Sequence, residues 1–241
     1  MKKVFAAALA ALVSLTAFAQ SFAIEDGEVT PATSSEESGN TKLKYIGEFG
    51  FGFHIMKDGD AAFLNATPAF GKNREIFFSL FGAEYKPVQW VGISAMADLN
   101  WDAYRLNKEH YWLPSNGSVT IADVEGSNYT EIKKSVLRSF GFDFPVELRL
   151  HLGDVDIAAG VVGELNFSGR TRFKAVDLNG GVVKNTPEMR VKDIQSNPFT
   201  YSYRASFSYS GIGLYVKYSP ASQFKVGAGP QFSYWSVGLI M

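Results

Sequence analysis

The residues able to do chemistry are few in kind. The chain has three histidines, His54, His110 and His151, and no cysteine. A histidine serves as general base for acyl transfer only when a serine and a carboxylate flank it in space. No Gly-x-Ser-x-Gly elbow marks such a serine. Three scattered histidines without cysteine also offer no ligand spacing for a metal. Gly50-Phe-Gly52 and Gly227-Ala-Gly229 have phosphate-loop spacing, but neither opens a helical pattern that would aim N–H groups at a phosphate. The sequence therefore supports no catalytic residue, no cofactor and no metal. It does hold a set of acids and bases: Glu48, Asp98, Asp143, Glu147, Arg149, Glu164, Arg204 and Lys217.

Each of these sits in, or at the end of, a segment that alternates. Leu43, Tyr45, Gly47, Phe49, Phe51, Phe53 and Ile55 share one parity; Lys44, Glu48, Gly50, Gly52 and His54 take the other, with Ile46 the exception. Val91 to Trp101, Phe140 to Leu150, Val155 to Phe167 and Tyr201 to Phe207 repeat the pattern. Successive side chains of a strand point to opposite faces, so the chain is all-β. A soluble sandwich alternates too. Several of these runs, however, reach about ten residues, against about 5–6 for a usual globular strand, which suits a tilted membrane strand. Tyr45, Tyr85, Trp90, Trp101, Tyr104, Tyr201, Tyr218 and Trp235 stand near segment ends, where interfacial girdles would fall.

The expected fold is an eight-stranded antiparallel transmembrane β-barrel. Its strands fall near 42–56, 75–86, 88–104, 135–151, 154–168, 199–208, 212–219 and 231–241. Short turns lie at Tyr85-Lys86-Pro87, Leu152-Gly153-Asp154 and Ser210-Gly211; long loops lie at 57–74, 105–134, 169–198 and 220–230. All long loops then share one side, as outer-membrane barrels require. The acids and bases face the lumen. An eight-stranded barrel is only wide enough for side chains to fill it, so they are expected to neutralise one another and plug it. His54 falls near the outer end of the first strand on the lumen parity, His110 in a solvated outer loop and His151 at a periplasmic turn.

The N-terminal twenty residues have their own pattern. Lys2 and Lys3 precede an apolar run from Val4 to Leu15, and Ala17-Phe18-Ala19 supplies the small residues of a cleavage site. Residues 1–19 are expected to be a cleaved signal peptide, 20–41 a flexible acidic lead-in, and 42–241 the barrel. A net charge of -1 gives no basic field for nucleic acid. No run in the body of the chain approaches the roughly 18 apolar residues of a membrane helix, so a membrane crossing there would require a closed sheet.

The second half adds a resemblance. Its carriers are Ile157-Ala-Ala-Gly-Val-Val-Gly163 with Gly169-Arg-Thr-Arg172, Asn197-Pro-Phe199 before a Tyr-rich strand, Gly213-Leu-Tyr-Val-Lys-Tyr218, and Gly229-Pro230 with Ser236-Val-Gly-Leu239. Over roughly residues 134–241 the chain resembles the PorT-like outer-membrane β-barrel domain family of Bacteroidota; the N-terminal half follows by pattern alone. None of these motifs is catalytic. One departure is the final Met241, where assembly signals commonly end on an aromatic residue.

The expectation is a non-enzymatic, monomeric outer-membrane protein, structural or presenting surface loops from a plugged barrel. A narrow porin-like channel is the alternative, and an outer-membrane lipid-modifying enzyme using His54 comes third. Expected partners are outer-membrane lipid, lipopolysaccharide and the barrel-assembly machinery during insertion. Loop residues Arg170, Arg172 and Lys174, with Trp112 in the preceding long loop, are candidates for touching lipopolysaccharide phosphates or an acidic glycan; Lys184, Arg190 and Lys192 share the loop of the first three.

Overall fold

The computed structural model describes residues 22–25, 28–31, 42–68, 70–115, 117–184 and 196–241. The expected signal peptide, most of the lead-in, Arg190 and Lys192 lie outside them. In chain order the elements are β1 (Phe22–Glu25), β2 (Glu28–Pro31), β3 (Lys42–Tyr45), β4 (Phe49–Gly59), α1 (Ala61–Ala66), β5 (Arg74–Val88), β6 (Val91–Arg105) and β7 (His110–Ser115). They continue with β8 (Ser118–Asp123), β9 (Tyr129–Leu152), β10 (Val155–Asp177), β11 (Val182–Lys184), β12 (Phe199–Tyr209), β13 (Ile212–Ser219) and β14 (Phe232–Ile240). Two of these, β1 and β2, fall within the stretch read as a lead-in. They pair with each other, and Val29 of β2 meets Leu43 of β3.

The main sheet is antiparallel throughout, and its pairing path returns to its start. β4 pairs with β5, β5 with β6, β6 with β9, β9 with β10, β10 with β12, β12 with β13, and β13 with β14. β14 then pairs back onto β4, from Ile240 opposite Gly50 to Phe232 opposite Gly59. Such a circuit leaves its strands no unpaired edge. Ile46, the parity exception, falls where β3 gives way to β4; its N–H donates to the Gly82 carbonyl, and both short strands face β5. Two-residue turns close the β9–β10 and β12–β13 hairpins, with Gly153 at φ 69 and Gly211 at φ 84.

Several boundaries differ from expectation. The first strand, expected at 42–56, is two, β3 and β4, with residues 46–48 between them. The turn after β5 falls at Gln89-Trp90 rather than at Tyr85-Lys86-Pro87, because β5 continues to Val88. Pro87 has no N–H to give, and it sits in the register irregularity between Tyr85 and Val88. β9 and β10 run far past 135–151 and 154–168, and their ladder continues to Asp177 opposite Tyr129. Much of the expected loops at 105–134 and 169–198 is therefore strand. The extension has a hydrophobic cause: Phe173 and Ala175 turn to one face and pack with Ile132 and Tyr111, which stands on the β7–β8 hairpin.

The faces of the circuit are inverted relative to a soluble domain. Val146, Leu148, Phe207, Leu214 and Leu239 are each more than half exposed, whereas Glu147, Arg204, Lys217 and Glu75 are buried. At the end carrying the long connections, α1, the β7–β8 hairpin and residues 220–231 fold over the opening. Phe63, Tyr104, Trp112, Phe224, Phe232 and Tyr234 form an aromatic core there, with the Phe63 and Phe232 rings 4.3 Å apart. Backbone bonds from Asp60 to Gln231 and from Val119 to Ala228 tie the lid segments together.

Candidate functional site

The inward parity of the wall strands places ionisable groups in layers along the interior. Nearest the short turns, His151 on β9 has Nδ1 2.5 Å from Asp156 Oδ1 and Nε2 2.5 Å from Glu84 Oε1. Gly92 leaves the space that the Glu84 carboxylate fills.

The next layer joins three carboxylates to two guanidinium groups. Arg204 on β12 donates from Nε to Glu147 Oε1 at 2.6 Å and from Nη2 to Glu48 Oε2 at 2.9 Å. Arg149 on β9 pairs with Glu48 and with Glu147, the latter at 2.9 Å. Asp98 accepts from Ser79 Oγ at 2.8 Å and lies 3.8 Å from Arg204 Nη1. Arg204 also sits 5.2 Å from the centre of the Phe77 ring. Pairing of this density offsets much of the several kcal/mol that each buried ion would otherwise cost.

A third layer centres on Lys217 of β13. Its ammonium lies 2.5 Å from Glu75, 3.7 Å from Asp143 and 3.8 Å from Glu164. Tyr215 donates to Glu75 at 2.6 Å, while Thr200 and Ser202 donate to Glu164 at 2.6 and 2.7 Å.

Above it, His54 has Nδ1 2.8 Å from Ser236 Oγ and Nε2 3.1 Å from Asp102 Oδ1. The three residues have a hydrolase triad's composition, but the serine meets Nδ1 and the acid Nε2, the reverse of the usual order. All three are buried, and His54 is stacked 5.2 Å under Tyr104 and edge-on at 4.7 Å to Tyr234. Ser236 itself is fully buried, so its Oγ presents no surface to solvent. Among the described residues, His54, Glu75 and Asp102 each offer one atom within 4.8 Å of the others, the spacing of a group that could hold a metal. In this arrangement Asp102 is bonded to His54 and Glu75 to Lys217.

The eight residues read from the sequence as a lumen network thus fall in two layers. Glu48, Asp98, Glu147, Arg149 and Arg204 make one; Asp143, Glu164 and Lys217 join the other. Sequence reasoning did not include Glu75, Glu84, Asp102, Tyr215 or Ser236. Asp102 continues the Asp98, Asn100 parity by one more step, so its signal was present. Glu75 needed the parity of β5, which the bulge between Ser79 and Phe81 interrupts.

The loop candidates separate. Arg170 and Arg172 are exposed, and Lys174 is half-buried, on the extended part of β10 rather than in a loop. Trp112 is not a surface contact: its ring is buried in the lid core, where Nε1–H donates to the Tyr104 carbonyl at 3.1 Å. A large flat side chain with one donor fills such a core once that donor has a partner. His110, expected to be solvated, is only partly so; Nδ1 lies 2.6 Å from Asn107 Oδ1 and Nε2 3.0 Å from Asp123.

No family model and no curated protein matches the chain. Among solved structures it is similar to Ail, the attachment invasion locus protein of Yersinia pestis, with TM-score 0.34 and 10% identity over 82% of this chain and 97% of that one. It is also similar to Ail in complex with the heparin analogue sucrose octasulfate, with TM-score 0.33 and 8% identity over the same shares. Overlaps this loose do not transfer a role from one chain to another.

Proposed function

We propose that the chain is a small outer-membrane protein, an eight-stranded transmembrane β-barrel with a filled lumen and no enzymatic activity, which holds a rigid outer structure above the membrane. One observation carries this reading. The closed wall turns Val, Leu, Ile, Phe and Tyr side chains outward and charged residues inward, a polarity that water penalises and hydrocarbon favours. Both ends of the circuit's sequence meet at the short-turn end, where Phe49 and Met241 exchange backbone hydrogen bonds. That end faces the periplasm, and the lid and extended strands face outward. Export through a signal peptide at 1–19, insertion by the barrel-assembly machinery, a monomeric state and contact with lipid and lipopolysaccharide belong to the same reading.

A narrow channel has less support, since the ion-pair layers and the aromatic lid lie across the lumen. A lipid-modifying enzyme has less again, since Ser236 and His54 point into the wall's interior, away from lipid. The test is fractionation of cells expressing the full chain, followed by electrophoresis with and without boiling. Recovery in the outer membrane with a heat-dependent mobility shift is expected. A soluble chain with no shift would overturn the reading.

A further inference from the structure

Above the apolar belt the outward parity changes from aromatic to cationic within one or two steps. On β9 it passes from Phe142 and Phe140 to Arg138 and Lys134; on β6, from Trp101 through Ala103 to Arg105. On β10 the exposed Phe167 is followed, past the bulge, by Arg170, Arg172 and Lys174. The register sets like charges side by side: Arg138 lies opposite Arg170, and Lys134 opposite Lys174. Val136 lies between Arg105 on one neighbouring strand and Arg172 on the other.

Like charges facing each other across a ladder destabilise it, and no carboxylate of the described residues lies within ion-pair distance of these six cations. Beside them opens a cavity of about 370 Å³, lined in part by Arg105 and Lys134 and by the ammonium-bearing Lys72, Lys108 and Lys133. Its nearest ion pair, Lys108 to Glu131 at 3.8 Å, joins two exposed side chains and contributes little. Burial, and after it the charges of Arg138, Arg105, Arg172 and Lys174, hold the Lys134 ammonium below the usual lysine pKa.

We infer that this band and the cavity beside it bind the phosphate groups of lipid headgroups in the outer leaflet, with the cavity taking one phosphorylated headgroup. The inference rests on the barrel reading, which fixes where the headgroups lie. Three features favour a membrane lipid over a soluble anion. The cations face outward in the plane of the wall, they run across three adjacent strands, and they begin where the apolar belt ends. Arginine forks suit phosphate oxygens bidentately, and a cation cluster lacking internal acids gains most from an external anion.

The test uses the full chain refolded in neutral detergent micelles doped with diphosphoryl lipid A, or with the same lipid stripped of its phosphates. The heat-dependent mobility shift reports barrel integrity separately. Wild type is expected to bind the phosphorylated lipid at least about tenfold better than the stripped one. The K134Q/R138Q/R172Q variant should lose that preference and keep the mobility shift. The single variants R138Q and R172Q, each losing about threefold, decide the matter if the triple variant does not refold. Equal binding by wild type and variants in folded barrels would overturn the inference and leave the barrel standing. Tighter binding of a soluble sulfated polysaccharide than of phosphorylated lipid would also overturn it. A wild type without the mobility shift would remove the barrel and the inference together.

Discussion

A Cβ on Gly52 would stand 2.1 Å from the Tyr215 hydroxyl oxygen, so Tyr215 occupies the space that Gly52 leaves empty. The ring is thereby placed for its hydroxyl to donate to Glu75. Gly50 does the same for the Phe77 ring, 2.1 Å from its would-be Cβ. Alternate glycines on β4 thus make room for rings that lean over them from nearby strands, Phe77 from β5 and Tyr215 from β13.

Gly52→Ala should therefore destabilise the folded chain by about 1–3 kcal/mol through overpacking. Tyr215→Phe removes the clashing oxygen, so the double variant should lose less than the sum of the two single losses. Urea unfolding from micelles in a double-mutant cycle checks this. Additive losses would mean that the two residues do not meet.

Arg204→Met should cost roughly 3–5 kcal/mol, because Glu48, Glu147 and Asp98 lose the guanidinium between them and stay buried. Adding Glu147→Gln should return part of the loss. A lower temperature for loss of the heat-resistant band in R204M, and its partial recovery in R204M/E147Q, is the expected result.

Ser236 should not react with a fluorophosphonate probe in the folded barrel, nor should the chain hydrolyse phospholipid. Labelling of wild type that disappears in S236A and H54A, with both variants folded, would overturn the non-enzymatic reading.

Lys134 supplies a pH prediction. Its folded pKa lies below the unfolded value of 10.5, because burial and surrounding cations disfavour its charge. Between those two values the unfolded chain binds more protons, so stability rises with pH there. Below the folded pKa the penalty is present in full. In micelles without anionic lipid, Lys134→Gln should raise thermal stability at pH 7 and remove its share of the rise on the alkaline side. Phosphorylated lipid should shrink that gain. A variant less stable than wild type at pH 7 without the lipid would contradict the assigned repulsion.

Much of the wall was legible because period-two alternation reports directly on which face a side chain takes. Phe140 to Leu150 and Val155 to Phe167 declare their faces residue by residue, and Gly153 and Ser210-Gly211 mark their turns. Legibility failed where a strand departs from the period. The bulge at Ser79–Phe81 hid Glu75, and the bulge between Asn166 and Ser168 made Arg170 to Lys174 read as loop. The meeting of His54, Asp102 and Ser236 was not readable at all. It depends on the β4–β14 seam, which sets residues 182 apart side by side, and on long-range placement of β6. Trp112 was misread for a related reason: an aromatic residue in a polar stretch looks exposed until the partner of its N–H is known.

That seam also governs how the molecule must be made. Ile55 of β4 meets Trp235 of β14 only after nearly the whole chain has been delivered. Until then every partly built sheet carries two free edges and a face of exposed Phe, Leu and Tyr, a species prone to aggregate. Contacts this distant in sequence are slow to form. A truncation that spared every ion pair but removed β14 would thus leave a chain rich in intact hairpins with no closed product to reach.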